Sequence, residues 1–213
     1  MSKKSIFYKH PLLYILGLKW LHKSNFTKRY RYMASFVQKG DLVLEPACGP
    51  AILADFLPEG VYYQGFDMNK EFIDYASKKH SGVYLGNVLD PKNYCQADIV
   101  VACDILHHLK PRDRKTFIKH CFEAAKKKLI ICEPGKKDYS QKGVLSSLKK
   151  RLVEWSEKDG TCDFRIEYFL TKEELLNQIK TGFGIIPTSI QRSIKEFGED
   201  IVVVYFKETY EKN

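Results

Sequence analysis

Two carboxylates at the ends of apolar segments are well placed to hold a nucleoside. Glu45 follows the apolar run at residues 42–44, and Asp67 follows a second apolar run 22 residues further along the chain. A carboxylate in the second position can accept two hydrogen bonds from a ribose diol, as the acid of dinucleotide-binding βαβ units does. Together the two acids favour nucleotide binding over an ordinary loop between a strand and a helix.

A tight turn of small residues follows the first carboxylate. Residues 43–51 read VLEPACGPA. Gly49 allows a close approach to a ligand because it has no Cβ, and Pro50 is preorganised for the first turn of a helix. The segment therefore predicts a strand, a turn and a helix that begins at Pro50. Open α/β sheets bind nucleotides beyond the carboxyl ends of their strands, at turns of this kind.

The turn does not fit a dinucleotide. Where the G-x-G-x-x-G fingerprint needs glycines for a pyrophosphate, the chain has Ala47, Gly49 and Ile52. The pattern E-x-A-x-G-x-A instead resembles motif I of the class I S-adenosylmethionine (SAM) methyltransferases, an acid followed by x-G-x-G-x-G. Ala47 and Ala51 depart from that motif. We expect Ala47 to be tolerated through a negative φ.

Later segments resemble further motifs of the same family, in the family's order. They are residues 86–90 (GNVLD), 97–109 (ADIVVACDILHHL), 129–134 (LIICEP) and 168–183 (YFLTKEELLNQIKTGF). The resemblance covers about residues 36–206. It implies a Rossmann-like, doubly wound α/β fold with a seven-stranded, mostly parallel sheet and an antiparallel final strand. The alternation of strand and helix patterns independently favours a mostly parallel sheet with helices on both faces. Residues 185–190 and 201–206 are expected to be the last two strands.

The resemblance also implies SAM as the cofactor and S-adenosylhomocysteine (SAH) as its product. For the adenosine end, it assigns the ribose hydroxyls to Asp67, the adenine face to Met68, the adenine amino group to Asn87 and the ring edge to the backbone N–H of Val88. For the methionine end, it assigns backbone contacts to Ala47 and Gly49, the amino group to Glu45, and an ammonium-accepting carbonyl to Cys103.

Polar side chains just after the fourth predicted strand are the candidates for catalysis: Asp104, His107 and His108. Methyl transfer mainly needs the acceptor to be held in line with the departing sulfur, and histidine can accept a proton near neutral pH. The alternative for the histidines is a structural role at a helix start or against the sheet. Asp104 either caps a helix or faces the pocket. Glu133 either faces the pocket or forms a cap or salt bridge.

The fourth-strand segment also bears on the acceptor. It lacks the N-P-P-Y type of sequence common in methyltransferases that modify amino groups, so O- or C-methylation of a small or quinone-like molecule is favoured over N-methylation. An inserted helical segment at about residues 135–165 is basic and amphipathic, and it either roofs the acceptor pocket or lies on the surface. The charge leaves an RNA methyltransferase open, although no RNA-binding module or base-stacking motif is evident.

The positive charge is concentrated at the N-terminus. The chain has 213 residues and a net charge of +9, and residues 1–40 contain nine Lys or Arg and no acid. We expect residues 1–35 to form a basic amphipathic helical arm before a SAM-binding domain at residues 36–213. The arm is interpreted as a packed cap, a lid over the acceptor, or an attachment to an anionic membrane. The last role also fits a non-catalytic SAM-fold protein that uses the arm for a membrane or a partner.

Cellular location follows from the cysteines and from the short apolar segments. The six cysteines contain no C-x-x-C pair, which predicts buried free thiols, a reducing cytoplasm and no metal site. The apolar run at residues 11–18 is too short to span a bilayer, and no signal-peptide pattern follows it. The prediction is a cytoplasmic protein, with peripheral membrane contact through the arm as a further option.

Overall fold

The computed structural model describes residues 4–136, 151, 153–160, 166–184 and 190–207. Its centre is a sheet built from β1 (Leu42–Pro46), β2 (Tyr62–Asp67), β3 (Val83–Leu85), β4 (Ala97–Cys103), β5 (Ala125–Pro134), β6 (Gln191–Phe197) and β7 (Asp200–Phe206). The seven strands lie in the order β3-β2-β1-β4-β5-β7-β6. Strands β1 to β5 are parallel, and β7 is antiparallel to both of its neighbours. The predicted seven-stranded, mostly parallel sheet with an antiparallel final strand is confirmed.

The helices are α1 (Ile6–Lys9), α2 (Pro11–His22), α3 (Ser24–Ala34), α4 (Lys70–Ala76), α5 (Pro111–Ala124) and α6 (Lys172–Phe183). Short 3-10 turns lie at Leu53–Phe56, Pro91–Asn93, Leu106–His108 and Ile166–Tyr168, and residues 153–156 are also helical. Local sequence explains two of the starts. Asn69 accepts a hydrogen bond from the Glu71 N–H at the start of α4, and Thr171 and Glu174 form a capping box at the start of α6.

Two apolar cores cover the two faces of the sheet. Alternate residues of a strand point to opposite faces, so Val100 packs with α5 and α6 on one side, while Ile99 and Val101 pack with α3 on the other. The predicted helices on both faces are therefore present. The carboxyl ends of β1, β2 and β4 meet at one edge, which is where an open α/β sheet binds its ligand.

Local structure differs from the sequence prediction in two places. The helix expected from Pro50 is absent, because the left-handed backbone of Ala51 (φ 58°) interrupts it, and only a 3-10 turn follows at Leu53–Phe56. The penultimate strand spans Gln191–Phe197 rather than residues 185–190. Of that predicted strand, Ile190 lies just before β6, and the rest falls outside the described residues, as do residues 137–150 of the inserted segment.

The arm and the cysteines complete the description of the fold. In the described part of the chain, no helix is long and apolar enough to cross a membrane. The five described cysteines are free thiols. Cys48, Cys103, Cys121 and Cys132 are buried and Cys95 is half-buried, while Cys162 lies outside the described residues.

Candidate cofactor and acceptor site

The loop after β1 has a left-handed backbone at every second residue. Ala47, Gly49 and Ala51 have φ values of 58°, 55° and 58°. The expected negative φ at Ala47 is therefore wrong. A left-handed backbone costs an L-residue about 1–2 kcal/mol. The two alanines are therefore strained in a conformation that glycine would adopt without strain. Ala51 is fully buried and Ala47 borders a cavity, so the loop keeps the shape expected of three glycines.

Asp67, at the end of β2, joins this loop to the start of α4. Its two carboxylate oxygens accept hydrogen bonds from the backbone N–H of Gly49 at 2.9 Å and of Asn69 at 2.7 Å. Burial raises the pKa of the Asp67 carboxyl, and these two N–H groups partly offset the rise. A carboxylate has about four acceptor sites, so Asp67 retains acceptor capacity toward a ligand.

Glu45, at the end of β1, is buried beneath the same loop. The Tyr63 hydroxyl donates to its carboxylate at 2.5 Å. Burial raises the pKa of Glu45 from 4.5 to about 8, despite the opposing effect of that hydrogen bond. At neutral pH, Glu45 is therefore poised to lose its proton when a cation arrives beside it.

A first cavity of about 270 Å³ lies at this edge of the sheet. It brings together most of the site residues predicted from sequence: Glu45, Ala47, Gly49, Asp67, Met68, Val88, Cys103, Asp104 and His108. Asn87 and His107 are not on its wall. Asn87 is exposed, and its side-chain oxygen accepts from the Leu89 N–H at 2.9 Å.

The N-terminal arm covers this cavity. The sequence motifs did not predict which residues of the arm would border it. Tyr8, Tyr14, Leu18 and Tyr30 form part of the wall. The Asn69 side-chain amide donates to the Tyr8 carbonyl at 2.8 Å, and the rings of Tyr8 and Tyr14 pack on Phe72 of α4. The arm's aromatic residues were the available sequence signal, because Tyr8, Tyr14 and Tyr30 all face the cavity.

A buried ion pair fastens the arm to the end of β4. The guanidinium of Arg29, which has no solvent exposure, donates two hydrogen bonds to Asp104 at 2.9 and 2.5 Å. Burial alone would raise the pKa of Asp104, but Arg29, together with His22 and His107, lowers it. Asp200 extends the network, lying 3.8 Å from Arg29 and 2.8 Å from His22. The charge of Asp104 is thus engaged by Arg29.

Glu133 holds the turn that carries the two histidines. One carboxylate oxygen accepts from the backbone N–H groups of Ile105 and Leu106 at 2.8 and 2.7 Å, and the other lies 2.7 Å from His107 Nδ1. Of the two roles expected for Glu133, the structure has the loop cap and salt bridge. His107 is buried, and its ring stacks on Phe169.

His108 lies where the arm, the β4 loop and the segment at residues 153–160 meet. Its Nε2 is 3.0 Å from the Tyr8 hydroxyl and 3.5 Å from Glu157, and its Nδ1 is 3.4 Å from Asp159. Burial would lower the pKa of His108, but Asp159 and Glu157, with a smaller effect of Glu133, raise it to about 9. His108 is therefore an imidazolium at neutral pH.

A second cavity of about 590 Å³ adjoins the first. Its wall is mostly apolar and includes Phe7, Gly17, Trp20, Leu21, Val153, Trp155, Phe169 and Phe197. The two cavities share the wall residues Tyr8, Tyr14, Leu18, Asp104 and His108. His107 borders only the second cavity. These five side chains would therefore border a ligand in either cavity.

Among the described residues, two groups of side chains have donor atoms close enough for a metal ion. One is Cys103, Asp104 and Cys132, and the other is His107, His108 and Glu157. In the first, Asp104 already binds Arg29, and burial and the Cys132 thiol raise the pKa of Cys103. In the second, the pKa of His108 near 9 opposes metal binding, because a histidine ligand must be neutral.

Comparison with known proteins places the fold. No family model matches the chain, and no curated protein sequence matches it. Among solved structures, it is similar to human N-acetylserotonin methyltransferase in complex with SAM, with 13% identity over 95% of this chain and 58% of that one and a TM-score of 0.61. The chain thus spans less than two thirds of that protein.

Two other solved structures match over most of both chains. Magnesium protoporphyrin IX methyltransferase from Synechocystis, with bound SAH, is 15% identical over 88% of this chain and 83% of that one, with a TM-score of 0.59. A SAM-dependent methyltransferase from Methanosarcina mazei is 18% identical over 83% and 96%, with a TM-score of 0.57. The chain has the Rossmann-like fold of the class I SAM-dependent methyltransferases.

Proposed function

We propose that this protein is a SAM-dependent methyltransferase that acts on a small, largely apolar or lipid-like acceptor, at oxygen or carbon rather than nitrogen. The observation that carries the proposal is the union, in one cavity, of the motif I loop, Glu45 and Asp67, with a larger apolar cavity beside it. Similarity to structures solved with SAM or SAH supports the choice of cofactor.

In the first cavity, the chain offers a distinct group for each part of the cofactor. Asp67 would accept from the ribose hydroxyls, and Met68, Asn87 and Val88 would hold the adenine. The backbone of Ala47 and Gly49 would contact the methionine end, and Glu45 and the Cys103 carbonyl would accept from its ammonium. Glu45 would lose its proton as that ammonium binds, because a neighbouring cation favours the carboxylate.

In the second cavity, the apolar walls hold the acceptor, and the shared side chains set its orientation. Bound SAM supplies the methyl group as an electrophile, so the chain's task is to position the accepting atom and exclude water. The arm does the second by placing Tyr8 and Tyr14 across both cavities. We therefore assign the arm the role of a lid as well as a packed cap.

Among the candidates for catalysis, His108 is the side chain best placed to touch the acceptor. With a pKa near 9, it carries a proton on Nε2 at neutral pH that an acceptor oxygen would receive in place of the Tyr8 hydroxyl, and it becomes a general base only at higher pH. His107 positions the turn through Glu133, and Asp104 anchors the arm through Arg29. With a methyl acceptor identified, His108→Ala should lose more of kcat than His107→Ala, and wild-type rates in both variants would remove both from catalysis.

The cofactor assignment is tested by thermal unfolding of the full chain with SAM, SAH or NAD at millimolar concentration. A ligand that binds the folded state raises the melting temperature by mass action, so SAM and SAH should raise it and NAD should not. If neither SAM nor SAH raises the melting temperature, the chain does not have the proposed function. If NAD alone raised the melting temperature, the first cavity would be assigned to a dinucleotide instead.

A further inference from the structure

Helix α2 is apolar on two faces, and the described part of the chain covers only one of them. Tyr14, Ile15 and Leu18 face inward, where they border the cavities or pack on the core beneath α3. The outer face carries large apolar side chains with high exposed fractions: Leu12 (62%), Leu13 (40%), Leu16 (60%) and Trp20 (80%). A helix that is apolar all round is ordinarily buried, so the outer face calls for a partner.

Neighbouring residues extend this outer face. Ile6 of α1 is 45% exposed, Leu21 is 47% exposed, and Trp155 is 46% exposed and packs edge to face with Phe7. Leu21 and Trp155 border the second cavity together with Trp20. Clusters of large exposed apolar side chains mark interaction sites with proteins or membranes. We call Ile6, Leu12, Leu13, Leu16, Trp20, Leu21 and Trp155 the apolar face.

The charge around the apolar face selects the partner. Residues 4–40 contain no acid. Lys19 and Trp20 each lie beside Leu16 on the outer side of α2, since residues three and four apart share a helix face. Lys9, Lys23, Lys28 and Arg31 are also exposed. Leucines and a tryptophan on a short helix, with basic residues on it and on the helices next to it, are typical of segments that lie in the interface of an anionic membrane.

The apolar face is also continuous with the second cavity. Trp20, Leu21 and Trp155 are about half exposed or more, yet they form part of that cavity's wall. They therefore stand at its rim. A surface that covers the apolar face would lie against this rim, and an apolar molecule could pass between the two without crossing water.

We propose that the apolar face of α2 docks on an anionic lipid bilayer and turns the second cavity toward it, so that a lipid-dissolved acceptor enters from the membrane. Docking itself needs no catalysis, whereas acceptor delivery rests on the proposed methyltransferase function. The 12 residues of α2 are too few to cross a bilayer, which takes about 20. The helix lies along the surface, with the leucines and Trp20 in the acyl boundary and the lysines at the headgroups.

The test is flotation of the full chain with vesicles of phosphatidylcholine alone or mixed equally with phosphatidylglycerol. The variant Leu16→Glu is matched by Tyr62→Glu, because both residues are exposed (60% and 69%) and both changes add one negative charge. Neither residue borders a cavity. Wild type and Tyr62→Glu should bind the anionic vesicles. Leu16→Glu should bind them at least about tenfold more weakly than wild type. Salt should weaken wild-type binding.

Two further measurements keep the proposal separate from its alternatives. Lys9→Glu/Lys23→Glu should also weaken binding to anionic vesicles, which a purely apolar contact would not predict. Sedimentation velocity tests self-association: a wild-type dimer that Leu16→Glu dissociates, without vesicle binding, would assign the face to a second copy of the chain and overturn the lipid proposal. Wild type that fails to float with either vesicle also overturns it.

SAM binding, measured by calorimetry on the same variants, distinguishes the two proposals. Leu16→Glu should bind SAM like wild type. A chain that binds SAM but not vesicles keeps the methyltransferase proposal and loses membrane docking. A chain that binds anionic vesicles through the apolar face but not SAM keeps docking and loses acceptor delivery.

Discussion

The strand-end part of the first cavity and the wall that the arm adds to both cavities are built in opposite ways. At the strand ends, groups close in sequence meet: Asp67 accepts from residues 18 and 2 positions away, and the cradle itself is backbone. In the wall shared with the second cavity, side chains from distant segments meet: the Tyr8 hydroxyl reaches His108 and Glu157, 100 and 149 positions away. A common cofactor can be held by a local backbone motif, whereas an acceptor pocket depends on how separate segments pack.

This difference decides how much could be predicted from sequence. Glu45, Gly49 and Asp67 border one cavity, because a parallel sheet brings the carboxyl ends of β1 and β2 together, and their contacts with the cofactor stay a prediction. Asn87 stays a prediction, since its side chain lies off the cavity wall and no bound adenine fixes its role. The mostly parallel direction of the strands followed from the alternation of strand and helix patterns, and the antiparallel final strand followed from the family resemblance.

The parts that sequence could not supply depend on backbone sign and on distant pairing. Residue types do not report the sign of φ, so the left-handed Ala47 and the missing helix after Pro50 went unforeseen. In the sequence, nothing distinguishes Arg29 from the other basic residues of the arm. Its burial depends on Asp104, which is 75 positions away. Glu133 had two possible roles in the sequence, and only its contacts with Ile105, Leu106 and His107 decide for the cap.

The largest expected effect concerns the contacts between distant segments. Asp104→Asn leaves the Arg29 guanidinium buried without its carboxylate, which should lower the free energy of unfolding by about 3–5 kcal/mol. Asp74→Asn, which breaks the exposed Lys70–Asp74 pair on α4, should cost about 0.5 kcal/mol or less. Urea denaturation at neutral pH measures both. Equal losses would mean that the arm is not fastened by this ion pair.

A smaller effect concerns the proton on Glu45. Because the folded-state pKa is raised from 4.5 to about 8, the folded chain binds more protons than the unfolded chain between these pH values, and stability falls as pH rises through that window. Glu45→Gln should flatten this decline in pH-dependent denaturation. SAM binding at neutral pH should release protons from wild type and not from the variant, as seen by calorimetry in buffers of different ionisation enthalpy. Proton release unchanged by the variant would detach Glu45 from the ammonium.

The smallest expected effect concerns the backbone of the loop after β1. Ala47→Gly removes left-handed strain and should raise the free energy of unfolding by about 1 kcal/mol. Ala76→Gly, at a helical residue of α4, should lower it by about 1 kcal/mol. Denaturant unfolding of both variants checks the opposite signs. Destabilisation of both would show that the loop does not need glycine's backbone freedom at residue 47.

The central claim is that the first cavity holds SAM through Asp67, and calorimetric titration with SAH tests it directly. Wild type and the surface variant Asp74→Ala should bind SAH with equal affinity. Asp67→Ala should bind at least about tenfold more weakly, since a hydrogen bond to a charged group contributes about 1.5–3 kcal/mol. Equal affinity in Asp67→Ala, or no binding of SAH by the wild type, would contradict the account.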